Sequence, residues 1–256
     1  MILTHKGVRI FYTDQGKGPV LVLLHGFLEN SAMWEPFILH LQSYKRVITI
    51  DFPGHGNSEN IAGIHTMEIM AGAVISVLNS LNITKAKFAG HSMGGYVALA
   101  IAEKYASTVE GILLLNSTAG ADHPERKKNR DRAIALAERN IHSYINASIP
   151  QLFSTSYKQV NWEGVEYAKK MGFTTSRQGV IAAIKGMKIR PDRNRVAAQL
   201  TVPKYMVAGK EDPLLDAQML RKEAEKNGFE YIILEGGHMS HLEDQAAVFS
   251  VFSTFC

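Results

Sequence analysis

The sequence predicts an α/β protein: a mostly parallel sheet flanked by helices, with one helical insertion. Three observations carry this. Val20–Leu24 is a continuous apolar run, and Arg46–Ile50 and Gly111–Leu115 repeat it, as strands buried on both faces do. Helical stretches separate these runs, and strands alternating with helices pack as a parallel sheet between helical layers. From Ser117 to about Leu200 the alternation stops, and the chain becomes polar, rich in charge and helical. A length of 256 residues suits one such domain with a modest insertion.

In chain order, Gly7–Asp14 alternates like an antiparallel edge strand, and Gln15–Pro19 reads as a turn. Thr66 to Leu81 reads as a helix with Thr66 as its N-cap. Ile83–Ala89 can end in a short buried strand, and Tyr96–Tyr105 reads as the helix after it. The insertion offers helices over Pro124–Asn140, His142–Phe153, Trp162–Met171 and Thr175–Ile189. Val202–Gly209 and Tyr231–Leu234 return to buried strands, followed by the loops Lys210–Pro213 and Glu235–His238. Residues 1–116 and 201–256 are therefore expected to form the core domain, and 117–200 the insertion.

Composition excludes several classes. The net charge of +4 is mild and spread along the chain. The densest basic run, Arg126–Arg132, is broken by Asp131 and falls on an expected helix, so it reads as a solvated face and not as a nucleic-acid surface. No apolar run approaches the length of a membrane span. Met1–Lys6 lacks the pattern of a signal peptide. Cys256 is the only cysteine, so no intramolecular disulfide can form, and a reducing cytoplasmic location is expected. The sequons at Asn82, Asn116 and Asn146 then read as chance.

The stretch Ala89–Gly95 (AGHSMGG) points to chemistry. A serine on a sharp strand-to-helix turn exposes its hydroxyl beside the helix N-terminus, which stabilises negative charge. Gly90 and Gly94 leave room for the neighbouring backbone. Ser92 could serve merely as a helix N-cap, but the tight glycine context favours a nucleophile. The loop is not a phosphate cradle, because it lacks the Gly-Lys-Ser/Thr ending. A serine nucleophile needs a base, and the base an orienting acid; Asp212 and His238 stand downstream in loops that leave strands.

Four blocks, Leu24–Phe27, Asp51–Ser58, Gly90–Gly95 and Gly237–His238, stand in order at strand ends. On these the chain resembles α/β-hydrolase-fold enzymes of the single-domain esterase and lactonase type. The order Ser92, Asp212, His238 is that of the α/β-hydrolase triad. The resemblance implies an α/β-hydrolase sheet with a helical cap over residues 117–200. It implies His238 as base in preference to His241, and Asp212 as acid in preference to Glu211 or Asp216. The family's other acid position falls on Asn116, which cannot carry the charge. It also implies that the backbone amides of Phe27 and Met93 form the oxyanion hole. His25 is read as a brace for its loop and Asp51 as part of a structural turn; with His55 they match no zinc spacing, so no metal is expected. His25, His91 and Trp162 are candidates for the substrate pocket, and Phe153, Tyr144 and Met171 for its walls, although His91 and the insertion residues could equally be packing.

The expected function is a serine hydrolase of a carboxylic ester, thioester or lactone, acting through an acyl-enzyme without a cofactor. The partner is a small acyl substrate, and the protein is a monomer or homodimer. A C–C hydrolase, or a menaquinone-pathway-type lyase, can use the same triad. A lyase of polyanions would want convergent arginines, for which Arg126, Arg130, Arg177, Arg190, Arg193 and Arg195 are available. A small-molecule receptor of hydrolase fold is the alternative from another class.

Overall fold

The fold is seen in a computed structural model that describes residues 1–61 and 63–256. Its strands are β1 (Ile2–His5), β2 (Val8–Gly16), β3 (Val20–Leu24), β4 (Arg46–Ile50), β5 (Ala86–His91), β6 (Val109–Leu115), β7 (Lys204–Gly209) and β8 (Glu230–Leu234). They form one sheet in the order β1-β2-β4-β3-β5-β6-β7-β8. The pairs β1–β2 and β2–β4 are antiparallel, and every pair from β4 to β8 is parallel. The stretch over Gly7–Asp14 is not the edge, because β1 pairs outside it. Lys6 and Gly7, both at positive φ, close a two-residue hairpin between them. Lys-Gly is a weaker hairpin signal than Asn-Gly, which left β1 unseen in the sequence. The strand β2 also runs on to Gly16, which shortens the expected turn.

Alternate residues of the central strands enter two separate cores. Val22, Leu24, Ile48, Phe88 and Leu114 pack with Met70, Val74 and Val97, from α2 (Met67–Ser80) and α3 (Met93–Lys104). Leu21, Leu23, Val47, Ala89 and Leu113 pack with Phe37, Leu41, Phe252 and Phe255. The last four come from α1 (Glu35–Leu41) and from a C-terminal helix. Each fully buried aliphatic side chain contributes about 1.5–3 kcal/mol, so a strand covered on both faces has to read as an unbroken apolar run. The Thr66 hydroxyl caps α2 by accepting from the Ile69 amide at 3.3 Å.

Between β6 and β7 lie α4 (Pro124–Arg139), α5 (Ile141–Ser148), α6 (Thr155–Val160), α7 (Trp162–Gly172), α8 (Arg177–Ile189) and α9 (Asn194–Gln199). The helix expected over His142–Phe153 ends at Ser148, and a 3-10 turn continues over Ile149–Leu152. Pro150, lacking an amide, cannot continue the α-helical ladder. The helices α6 and α9, six residues each, are too short to show a period in sequence. The chain closes with α10 (Ala217–Asn227), α11 (Ser240–Glu243) and α12 (Gln245–Phe255). No described helix is long and apolar enough to cross a membrane.

The insertion docks on the core through α8. A side chain at Gly179 would strike the Gly54 backbone, and one at Gly186 the His65 carbonyl. The His65 amide donates to the Ala182 carbonyl at 3.0 Å across the same contact. We expect Gly186→Ala to push α8 off the core and destabilise by about 1–3 kcal/mol, the usual cost of overpacking. Thermal unfolding should show a fall of several degrees, whereas a midpoint equal to wild type would mean that α8 is not anchored there.

Candidate active site

Ser92 stands between β5 and α3 with φ 49° and ψ −113°. That backbone is strained for a residue with a side chain, and packing holds it. A Cβ at Gly90 would meet the Gly94 backbone, and one at Gly94 the Leu24 carbonyl, so α3 presses its first turn against the end of β3. The Ser92 amide donates to the Leu115 carbonyl at 2.9 Å, and the Ser117 hydroxyl donates to the Ser92 carbonyl at 2.7 Å.

His238 and Asp212 come from the loops after β8 and β7. Ser92 Oγ lies 2.9 Å from His238 Nε2, and His238 Nδ1 lies 2.8 Å from Asp212 Oδ2. Asp212 Oδ1 accepts the Leu214 and Leu215 amides at 2.8 and 3.0 Å. Its Oδ2 also accepts from Asn116 Nδ2 at 3.2 Å, and the same amide group donates to the Gly237 carbonyl at 3.0 Å. Burial alone would raise the Asp212 pKa; His238, the Leu214 amide and Asn116 outweigh it and hold the carboxyl below its usual value. Nδ1 of His238 therefore donates to an anion, Nε2 is left to accept, and the Ser92 hydroxyl can pass its proton there. Of the rival acids, Glu211 accepts from the Ser156 hydroxyl and Asp216 caps α10.

The loop after β3 runs past the serine. The ring of His25 accepts the Phe52 amide at Nε2 (2.9 Å), and its Nδ1 lies 2.7 Å from the Gly26 carbonyl, so the neutral ring carries its proton on Nδ1. His25 is fully buried and does not line the pocket beside Ser92, which corrects that expectation: both ring nitrogens are spent on the backbone. Asp51 accepts the Ser31 and Asn57 amides, each at 2.8 Å, and so closes its turn. Phe27 follows in the first loop, and Met93 opens α3 beside Ser92. Among the described residues, neither the Phe27 amide nor the Met93 amide donates to a protein acceptor.

Sequence reasoning missed Glu29, which joins these loops. Glu29 Oε2 accepts the Gly26 amide at 2.5 Å and faces His91 Nδ1 at 2.8 Å. His91 Nε2 lies 2.9 Å from the His238 carbonyl. Both partners of His91 only accept, so both its nitrogens donate and the ring is an imidazolium. Burial opposes that charge, but Glu29 outweighs it and raises the His91 pKa. Burial likewise opposes the Glu29 carboxylate, and His91 and His241 bring its pKa to about 2. His241 Nε2 sits 3.6 Å from Glu29 Oε1, and burial drops its pKa to about 3, so it stays neutral. Glu29, His91 and His241 are close enough to hold a metal, but the hydrogen bonds leave His91 no lone pair to offer. The only sequence signal for Glu29 was an acid three residues after Gly26.

A pocket of about 490 Å³ opens beside Ser92 and His238. Phe27, Leu28, His91, Tyr96 and Met239 line it from the core, and Arg126, Arg130, Tyr144, Gln151, Leu152 and Met187 from the insertion. His91 and Tyr144 thus border it as expected. Trp162, Phe153 and Met171 do not. Trp162 is 49% exposed, under Lys169 and bonded to Glu166 on its own helix, because α7 turns that face to solvent. Phe153 stacks on Tyr157, and Met171 sits in the core under the sheet.

A mostly parallel sheet with a serine at a tight strand–helix turn, and histidine and aspartate on later strand ends, has the architecture of the α/β hydrolases. The family profile described as alpha/beta hydrolase fold matches residues 19–245, and the chain belongs to that family. It is 28% identical over 260 residues to 3-oxoadipate enol-lactonase 1 of Acinetobacter baylyi, an alignment covering 100% of this chain and 96% of that protein. A thermophilic esterase from Thermogutta terrifontis superposes with a TM-score of 0.91 at 30% identity, over 96% of this chain and 92% of that one. The enol-lactonase from Burkholderia xenovorans superposes with a TM-score of 0.92 at 25% identity, over 100% and 99%.

Two predictions follow from the buried charges. Glu29→Gln should strand the His91 imidazolium and destabilise by about 3 kcal/mol at pH 7. The double variant Glu29→Gln/His91→Gln should lose less than the sum of the singles in urea titrations; simple additivity would mean that the two are not coupled. The second prediction concerns acid. In the native state burial depresses His241 to about 3 and His65 to about 4, both from 6.5. Their contribution is complete above pH 6.5 and is lost as pH falls toward those values, where only the unfolded chain takes up the protons. The raised pKa of His91 acts only above 6.5, and the lowered one of Glu29 only below 4.5. Between pH 6.5 and 4.5 stability should therefore fall, by at most about 1.4 kcal/mol per pH unit for each histidine. Urea midpoints across that window measure it, and a flat profile would refute the neutral burial of both rings.

Proposed function

We propose that the chain is a serine hydrolase that cleaves a carboxylic ester, thioester or lactone through an acyl-enzyme on Ser92. The observation that carries this is the line of contacts from Ser92 Oγ through His238 to Asp212, at 2.9 and 2.8 Å, on the wall of a pocket large enough for a small ligand. The enol-lactonase and esterase relatives support ester-bond chemistry there.

In this mechanism His238 Nε2 takes the Ser92 proton as Oγ attacks the carbonyl carbon. The amides of Phe27 and Met93 receive the oxyanion; losing one such donor typically costs about 10²–10³ in kcat. Asp212 stabilises the imidazolium, and Asn116 holds Asp212. His238 then gives its proton to the departing oxygen or sulfur. Water repeats the sequence on the acyl-enzyme, giving the free acid and restoring Ser92. No step calls for a metal or an organic cofactor. The Glu29–His91 pair would keep the Phe27 loop and the His238 loop at a fixed separation while charge develops between them. Residues 117–200 act as a cap that selects substrates, with residues 1–116 and 201–256 as the catalytic core. The enzyme works on a small acyl substrate, as a cytoplasmic monomer or homodimer.

A fluorophosphonate probe should label wild type and leave Ser92→Ala unlabelled; equal labelling would sink the assignment. His238→Ala should lower p-nitrophenyl acetate turnover by about 10³-fold or more, while folded His241→Ala keeps most of it. The reverse pattern would make His241 the base. For the cap, Tyr144→Ala and Met187→Ala should change kcat/KM unevenly across acyl lengths, with about 1–3 kcal/mol at stake per methylene-sized contact. One common factor for all lengths would count against a selective cap.

A further inference from the structure

The pocket wall is unbalanced in charge. Its one acidic side chain is Glu29, which is already paired with His91. Besides His91, its cationic side chains are Arg126 and Arg130, one turn apart on α4 and so on the same helix face. Behind them Asp122 is completely buried. That carboxylate faces Arg190, whose Nη1 lies at 2.7 Å and whose side chain is only 3% exposed. Arg190 is held from several sides: it also donates to the Met187 and Gly120 carbonyls and lies 4.0 Å over the Tyr96 ring. One guanidinium thus already neutralises Asp122. Burial would raise the Asp122 pKa, yet Arg130 and Arg190 hold it below its usual value, so it stays an anion.

Arg126 and Arg130 approach the same carboxylate through Nε, at 3.3 and 3.1 Å. Arg126 Nη1 donates to the Leu214 carbonyl at 3.1 Å. Arg126 Nη2 and both Nη groups of Arg130 make no hydrogen bond among the described residues. Their side chains are 21% and 17% exposed, sheltered but not sealed from solvent. Asp122 therefore holds each guanidinium through its Nε and leaves outer N–H groups without a protein partner, on side chains that border both the Ser92 pocket and a neighbouring groove lined by His123 and Pro213. Two fixed guanidinium edges suit a planar anion with paired oxygens. Of the other acids on the helix, Glu125 pairs with Lys128 and Arg132 and Asp131 with Lys188, and Glu138 lies two turns beyond Arg130.

We propose that Arg126 and Arg130 form a carboxylate subsite of the Ser92 pocket, so that the preferred substrate is an ester or lactone bearing a carboxylate away from its reacting carbonyl. This rests on the serine-hydrolase reading of the same pocket. It makes α4, through two arginines, the element that chooses the substrate class.

The test compares charged with neutral substrates. One pair varies the acyl side: p-nitrophenyl hydrogen glutarate against p-nitrophenyl methyl glutarate. The other varies the alcohol side: 4-acetoxybenzoate against its methyl ester. In at least one pair, wild type should favour the anion in kcat/KM by about tenfold or more. The preference should shrink as NaCl rises from about 20 to about 500 mM. Arg130→Gln, or Arg126→Gln should the first fail to fold, should lower the ratio of charged to neutral kcat/KM by about tenfold, with Arg130→Lys in between. Equal rates within both pairs, or a preference untouched by salt and by both substitutions, would overturn the subsite. Fluorophosphonate labelling and turnover of p-nitrophenyl butyrate test the hydrolase reading separately. Should both be absent, calorimetry of monomethyl glutarate with wild type and Arg130→Gln still decides: arginine-dependent binding keeps the subsite, and its absence removes it.

Discussion

Ser92 keeps its left-handed backbone because α3 drives its first turn, glycine against carbonyl, onto the end of β3. The rest of the site depends on that contact. It brings the loop after β3 beside the serine, and it aims the hydroxyl away from the sheet toward the loops that carry His238 and Asp212. A methyl group at Gly94 has nowhere to go, because its neighbour is backbone in the middle of a two-sided core. Local strain of about 1–3 kcal/mol is tolerated there because the surrounding packing over-determines the turn.

Burial then decides the electrostatics. Water is excluded around Glu29, His91 and His241, so each proton is assigned by its neighbours and not by its solution pKa. Glu29 and His91 charge together; His241 stays neutral. Replacing such a pair by apolar side chains is often neutral for stability, which makes stability a poor reason for its presence. Its contacts give a better one. The pair bonds the Gly26 amide on one side and the His238 carbonyl on the other, and so ties the loop after β3 to the loop that carries His238.

The insertion makes a different use of the same physics. Two glycines let α8 lie close on the core, and α4 packs beside it with Asp122 and Arg190 buried at its root. The apolar residues of the pocket come from both layers, while its free cations come only from α4. Ser92, His238 and Asp212 thus sit on the strand ends of the core, and the α4 arginines on the segment between β6 and β7.

Much of this was legible in the sequence because it follows from short-range rules. Unbroken apolar runs mean strands covered on both faces, Thr66 caps the helix it precedes, and a serine between spaced glycines means a sharp turn. The positions of Ser92, Asp212 and His238 at strand ends could be read the same way, and folding brings them within hydrogen-bond distance. What could not be read was direction. Trp162 looked like a pocket wall, but only the packing of α7 decides which way it faces. His25 and His91 are alike in sequence; one ring is spent on the backbone as a neutral brace, and the other is charged by Glu29, sixty-two residues earlier in the chain. The arginines of α4 read as a solvated stripe, and only the fold shows two of them drawn against the buried Asp122. Patterning along the chain reports which residues are buried, since transfer from water depends on the residue itself. Which partner each buried or half-buried group meets depends on contacts between distant segments, and those exist only in the tertiary structure.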